Sequence, residues 1–280
     1  MILNHKHFEF QGKSLVEKLT VKSPLKQSPV FQNEACFIYF KEGEAMISSP
    51  TENVFLENGE SILLKCGSYF AEIMNKVDGG VCEVFVIHLY PEILKDIYED
   101  EIPHFLDTNK QGHYAQKIIH KNVIQQFIQS LDFYFENQQL VSTELLRLKL
   151  KELILLLLET NEKTAILDLF AHLFTPRKAT LKEVVNAHLF TNITLEQMAK
   201  LAGHSLSTFK REFRIHYENS PANYIREQRM KKAEQLLKAS DFSISEIAYQ
   251  LGYEDSSHFS RLFSNSYHLS PSEFRSNHRK

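Results

Sequence analysis

Two groups of hydrogen-bonding side chains near the end of the chain have types and spacing suited to chemistry. The first is Ser207, Thr208, Lys210, Arg211 and Arg214; the second is Ser256, Ser257, His258, Ser260 and Arg261. Lys210, Arg211 and Arg261 are long and cationic, and an arginine fork pairs with the O6/N7 edge of guanine. Short hydroxyl and imidazole groups reach bases or phosphates at close range. Each of these residues, taken singly, also fits the solvated face of an ordinary helix. The elements that position them decide between the two readings.

Those elements occur twice. Thr194-Leu195-Glu196-Gln197-Met198-Ala199 runs to Gly203, and Ser243-Ile244-Ser245-Glu246-Ile247-Ala248 runs to Gly252. Met198 matches Ile247, Ala199 matches Ala248 and Gly203 matches Gly252 at an offset of 49. Beyond the glycine the offset is 50: Phe209 matches Phe259, Arg211 matches Arg261, Phe213 matches Phe263, Tyr217 matches Tyr267 and Pro221 matches Pro271. One residue inserted in the second turn explains the slip, and small, apolar, glycine and proline positions repeating together argue for a duplicated unit. Thr194 with Gln197, and Ser243 with Glu246, are spaced as capping boxes. The glycines sit where a helix ends in a left-handed turn. Second helices are predicted over about Ser207–Tyr217 and Asp255–Tyr267, with Phe209/Phe213 and Phe259/Phe263 turned inward at i, i+4. The polar groups then fall largely outward. Helix, tight turn and helix with such an outer face describes a helix-turn-helix DNA reader.

Between the copies, Ser220 caps and Pro221 opens a helix without a breaker to about Ala239. At about 1.5 Å per residue, this helix is about 28 Å long. That length suits two recognition helices set into adjacent major grooves, about 34 Å apart on one face of DNA.

The stretch from about Leu181 to Arg275 resembles the two-reader DNA-binding domain of the AraC/XylS transcriptional regulators. The residues that carry this are Arg229-Met230-Lys231-Lys232-Ala233-Glu234-Gln235-Leu236-Leu237, Ile244, Ile247-Ala248, Leu251-Gly252-Tyr253, Phe259, Phe263 and Ser270-Pro271. The resemblance implies that Ser207, Lys210, Arg211, Ser256, Ser257, Ser260 and Arg261 face the groove. The serine-rich second helix is expected to rely more on DNA shape and phosphate contacts.

The net charge of −3 hides an asymmetry: from Pro176 on there are 16 Lys+Arg against 11 Asp+Glu, and before it 16 against 24. A basic terminal domain on an acidic one suits a nucleic-acid reader joined to a control domain. Cys36, Cys66 and Cys82 follow no disulfide or zinc spacing and read as reduced thiols. Met1–Glu9 is polar and is no signal peptide. Leu153–Leu158 is far shorter than the roughly 20 residues of a membrane span. No membrane association is expected, and a cytoplasmic location follows.

The fold expected is α+β. Residues 1–175 form a regulatory and dimerisation domain, helical over about 91–175, and residues 176–280 form the all-α DNA-binding domain. Cys36–Phe40, Glu44–Ile47, Val54–Leu56, Ser61–Lys65 and Val81–Leu89 read as short strands of a small barrel or double sheet. Asn58-Gly59 reads as a hairpin-type turn. The resemblance implies a cupin-like β-barrel. Phe31-Gln32-Asn33-Glu34-Ala35-Cys36-Phe37 and Leu64-Lys65-Cys66-Gly67 are most similar to the subgroup that includes type III secretion activators. Phe37, Tyr39, Phe40, Tyr69, Phe70 and Phe85 read as core before pocket lining. Helical spacing continues through Ile93–Ile97, Val123–Leu131, the leucine-rich Thr143–Glu159 and Ile166–Phe174. Thr143–Glu159 fits either a helix buried on the barrel or a dimerisation helix, and Thr175-Pro176-Arg177-Lys178 reads as the linker.

A metal cupin needs clustered His and Glu. His5 and His7 are expected to have no carboxylate partners, and His88 to stand alone, so no metal, cofactor or catalytic residue is expected. The leading reading is a sequence-specific transcriptional regulator, an activator that recruits RNA polymerase. Its first domain would bind a small-molecule effector or a regulatory protein and form a homodimer. The rivals are a metal-dependent cupin enzyme fused to a DNA-binding tail, and a non-specific architectural binder.

Overall fold

Alternating and continuous apolar runs pair the first part of the chain as antiparallel strands. The computed structural model describes residues 1–31, 34–77, 79–98, 114–118, 121–159, 167, 173 and 179–278. The strands are β1 (Ile2–Phe10), β2 (Lys13–Lys22), β3 (Leu25–Gln27), β4 (Val30–Phe31), β5 (Ala35–Glu42), β6 (Glu44–Ser48), β7 (Asn53–Leu56), β8 (Glu60–Leu64), β9 (Gly67–Ser68), β10 (Phe70–Met74), β11 (Val81–Leu89) and β12 (Ala115–Ile118). They build a six-stranded sheet in the order β1-β2-β11-β5-β8-β12, a four-stranded sheet β3-β10-β6-β7 and the pair β4-β9. Central strands β5 and β11 are buried on both faces, which accounts for their nearly unbroken apolar sequence. Phe37, Tyr39, Phe85 and Ile87 on one face join a core with helices α1 (Pro91–Tyr98), α2 (Lys121–Glu136) and α3 (Thr143–Leu158). Of the aromatic set, Phe37, Tyr39, Phe40, Tyr69 and Phe85 are buried as core and Phe70 is half-buried.

Helix α3 starts at Ser142, whose hydroxyl accepts from the Leu145 amide. It buries Leu146, Leu150, Leu153, Ile154 and Leu157. Leu148 and Leu155 stay 63% and 52% exposed, so the helix has a second apolar face that this core does not use. A charge cluster ties α2 to the sheet: Lys41 reaches Asp132 at 2.7 Å and Glu83 at 2.6 Å, and Lys18 contacts the same two carboxylates.

The opening segment, part of the stretch from residue 1 to about 90 that reads as β structure, is a full strand joined to β2 through Gln11 and Gly12, both with positive φ. Other expectations need correction. Asn58-Gly59 does not close a hairpin ladder. Strand β7 pairs with β6 and β8 with β5 and β12, so this turn carries the chain from one sheet to the other. Strand β12 lies in the region read as helical; four residues are too few to show a period in sequence. Of Ile166–Phe174 only Leu167 and Leu173 are described, both in helical backbone. The linker 175–178, and Gln32, Asn33 and Asp78, lie outside the described residues. Among the described residues no helix is long and apolar enough to cross a membrane.

The chain divides into units Met1–Lys178 and Ala179–Lys280. The second holds α4 (Leu181–His188), α5 (Leu195–Leu201), α6 (Leu206–Tyr217), α7 (Pro221–Ala239), α8 (Ile244–Gln250), α9 (Ser256–Tyr267) and α10 (Pro271–His278). Capping boxes form at Thr194/Gln197 and Ser243/Glu246, and a third at Thr180/Glu183. Helices α5 and α8 end alike. The His204 amide donates to Ala199 O and Gly203 to Lys200 O, as Tyr253 does to Ala248 O and Gly252 to Tyr249 O. These paired bonds require a left-handed residue at each glycine, where φ is +69° and +77°.

The two glycines differ in surroundings. A Cβ on Gly203 would meet nothing within 4 Å, whereas one on Gly252 would lie 2.5 Å from Thr191 O. Gly203→Ala should therefore cost about 1 kcal/mol of backbone strain. Gly252→Ala should cost at least about 3 kcal/mol, because backbone must also move. Urea denaturation followed by helical circular dichroism checks the pair; equal losses would contradict the steric argument.

Candidate nucleic-acid interface

The two helix-turn-helix units are built by matching aromatic clusters. Phe209 and Phe213 are fully buried, and Phe213 stacks on Tyr217 at 4.4 Å and meets Tyr224 edge-on. In the second copy Phe259 and Phe263 are buried, Phe263 stacks on Tyr267 at 4.5 Å and meets Phe274 edge-on. Both second helices stop in a left-handed residue, Glu218 and His268. With the aromatic side turned inward, the predicted site residues lie on the opposite side. Ser207, Lys210, Arg211 and Arg214 are exposed on α6 and Thr208 is half-buried. Ser257, His258 and Arg261 are exposed on α9, while Ser256 and Ser260 are half-buried. Each group of five is thus brought together on one helix.

The two outer faces are chemically unequal. Helix α6 is capped by the neutral Ser205, whose hydroxyl accepts from the Thr208 amide. Helix α9 is capped by Asp255, which accepts from the Ser257 and His258 amides at 2.9 and 3.0 Å. A carboxylate satisfies the helix N-terminus and its positive end. The same carboxylate opposes an approaching phosphate. Helix α6 also carries Lys210, Arg211 and Arg214 against Glu212, where α9 carries Arg261 alone. The Ser260 hydroxyl donates to Ser256 O within its own helix. Anion attraction is concentrated on the first reader.

Arg229, on α7, is a structural residue of this unit that the sequence flagged only as part of a signature. Its guanidinium donates to Leu189 O at 2.8 Å, to Gly252 O at 3.2 Å and to Thr191 O, and it lies over the Tyr253 ring. It therefore binds the segment ahead of the first reader to the turn of the second. In sequence it is one of two arginines in a largely polar helix, and nothing local names its carbonyl partners.

The first unit holds a second polar constellation, and here the absence of a His/Glu cluster is overturned. His88 Nδ1 lies 2.9 Å from Glu34 Oε2 and 3.3 Å from Cys36 Sγ, and Nε2 lies 3.5 Å from Glu17 Oε1. His5 pairs with Glu17 at 3.3 Å and His7 with Glu9 at 3.4 Å, so these two also have carboxylate partners. Antiparallel register creates the cluster: Cys36 is opposite His88, and Glu17 is opposite Val86, two residues before it. Burial alone would lower the His88 value, but its contacts with Cys36, Glu17 and Glu34 outweigh that and push it up to about 12. The His88 hydrogen bond holds Glu17 down at about 2, and burial pushes the Cys36 thiol up to about 11. One donor atom from each of Glu34, Cys36 and His88 lies within 4.8 Å of the others, close enough to share an ion.

Removing the fork at position 229 tests the structural role. Arg229→Lys keeps a charge but cannot supply the same three donors. Leaving half-buried carbonyls unpaired should cost about 1–3 kcal/mol in urea denaturation. A loss below about 0.5 kcal/mol would show that these bonds do not hold the unit together.

Residues 198–277 match the family model described as Helix-turn-helix domain, and residues 35–169 match the ExsA N-terminal regulatory domain. An uncharacterized HTH-type transcriptional regulator of Haemophilus influenzae is 41% identical over 81 residues, covering 29% of this chain. That match spans 27% of the relative, about a quarter of its length. The virulence regulon transcriptional activator VirF of Yersinia enterocolitica is 25% identical over 243 residues, 84% of this chain and 86% of its own. The solved structure of ToxT from Vibrio cholerae is 15% identical, covers 94% of this chain and 98% of that one, and has a TM-score of 0.40. The matched domains and curated relatives are those of regulators and not of enzymes, which removes the metal-dependent cupin enzyme as a reading. With residues 35–169 matching an ExsA-type regulatory domain ahead of a helix-turn-helix domain at 198–277, this chain has the domain composition of the AraC/XylS transcriptional regulators.

Proposed function

We propose that the chain is a cytoplasmic, sequence-specific transcriptional activator. Residues 176–280 bind promoter DNA, and residues 1–175 control that binding. The observation that carries this reading is the duplication: two outward polar helix faces joined by the single 19-residue helix α7. One polypeptide then covers two successive major grooves. Arg211 and Lys210 read base edges from α6, while Arg214, Ser207 and Thr208 hold phosphates. On α9, Arg261 reaches the bases, and Ser256, Ser257, His258 and Ser260 add backbone and shape contacts. RNA polymerase is the partner that activation requires. The exposed Leu148 and Leu155 of α3 support a homodimer through the first unit. A small-molecule effector or a regulatory protein supplies the signal, as the ExsA-type domain suggests.

Selection of genomic DNA by the full-length protein and by a 176–280 fragment, at one salt concentration, tests this. Both should enrich one motif spanning two major grooves, with paired sites or tighter binding for the full-length chain. Enrichment of no motif by either would leave a non-specific architectural binder. On the selected site Arg211→Ala should cost about 1–3 kcal/mol and relax specificity at one position. Equal weakening on specific and random DNA would remove its base-reading role.

A further inference from the structure

We propose that Glu34, Cys36 and His88 form a binding site for a zinc-class divalent cation, with Glu17 as the positioning residue behind His88. The donors come from two neighbouring strands, β5 and β11, and from Glu34 just ahead of β5. Cys36 is fully buried and His88 is 9% exposed, so these two donors are held within the sheet, and Glu34 beside them is half-buried. Zinc-class bonds of about 2.0–2.3 Å at tetrahedral angles set donor atoms about 3.4–3.6 Å apart. The Cys36–His88 separation is 3.3 Å and the His88–Glu34 separation 2.9 Å. Both lie within about 0.5 Å of those values, and Glu34 and Cys36 present their donor atoms within 4.8 Å of each other.

The donor set selects the cation. Sulfur, nitrogen and oxygen together suit zinc and its neighbours, whereas magnesium and calcium take oxygen donors in sixfold or higher coordination. The surroundings have the form that metal-bound histidines require. A ligating imidazole usually directs its second nitrogen at a carboxylate, and His88 Nε2 faces Glu17. The ring is held further by stacking on Tyr90 at 5.7 Å and by the edge of Phe31. Glu17 is itself fixed by the Ser14 hydroxyl at 2.8 Å. Three protein donors leave a fourth position for water or for a donor atom of an effector. The site needs no promoter and no second reader, so it stands apart from the DNA-binding assignment.

Cobalt(II) titration of the chelator-treated full-length protein is the test, because a thiolate ligand to cobalt gives a charge-transfer band. The expected result is about one equivalent bound with that band and a tetrahedral d–d spectrum, both displaced by Zn²⁺. Cys36→Ser should abolish the band. His88→Gln should weaken binding by more than about 100-fold, beyond the 10- to 100-fold of an outer-shell change. Glu17→Gln should weaken binding about 10- to 100-fold while the band keeps its shape, since it touches the histidine and not the ion. A purely structural role for Glu17 would alter the spectrum and the circular dichroism together. The proposal is overturned if the unmodified protein binds cobalt without a thiolate band. It is equally overturned if stoichiometric binding survives Cys36→Ser and disappears in His5→Gln/His7→Gln. The spectrum of the unmodified protein decides the matter even if a variant fails to fold.

Discussion

The terminal unit depends on one half-buried guanidinium. Arg229 donates to three backbone carbonyls, two in the segment that leads into the first reader and one in the turn of the second. Backbone oxygens in a half-buried loop are costly without donors. A planar fork with five N–H groups is the side chain best able to serve several of them at once. Because Arg229 sits on α7, the helix that separates the readers is also the helix that fixes their supporting loops. The aromatic clusters under α6 and α9 then need only hold each recognition helix to its own motif.

The terminal unit was readable because its signals are local. Thr194/Gln197, Gly203, Ser220-Pro221, Ser243/Glu246 and Gly252 each act within about one helical turn. Their structural outcome matches their spacing to within a residue. The ten proposed DNA-contact residues follow from that frame. Asp255 as the cap of α9 was less visible. Its meaning comes from contrast with Ser205, and one inserted turn residue hides the correspondence.

The β domain was legible in outline and not in its connections. The runs Cys36–Phe40 and Val81–Leu89 announce strands by composition. Their partners are set by long-range register, which no local pattern states. Asn58-Gly59 shows the difficulty: its backbone turns as a hairpin would, yet the flanking strands join different sheets. The cluster of Glu17, Glu34, Cys36 and His88 was invisible for the same reason. Its members are spread over β2, the start of β5 and the end of β11, and only the β2-β11-β5 order brings them together.

The uninterrupted course of α7 makes its length a phase setting. Each residue added to a helix advances the chain by about 1.5 Å and turns it by about 100°. A single inserted residue in α7 would leave α6 and α9 intact and turn the outer face of the second by about 100° relative to the first. Two whole turns, about seven residues, are needed before the faces come round again. On the proposed two-groove reading, the half-site spacing is therefore set in steps of helical rotation, and drift in that spacing is barred more by angle than by distance.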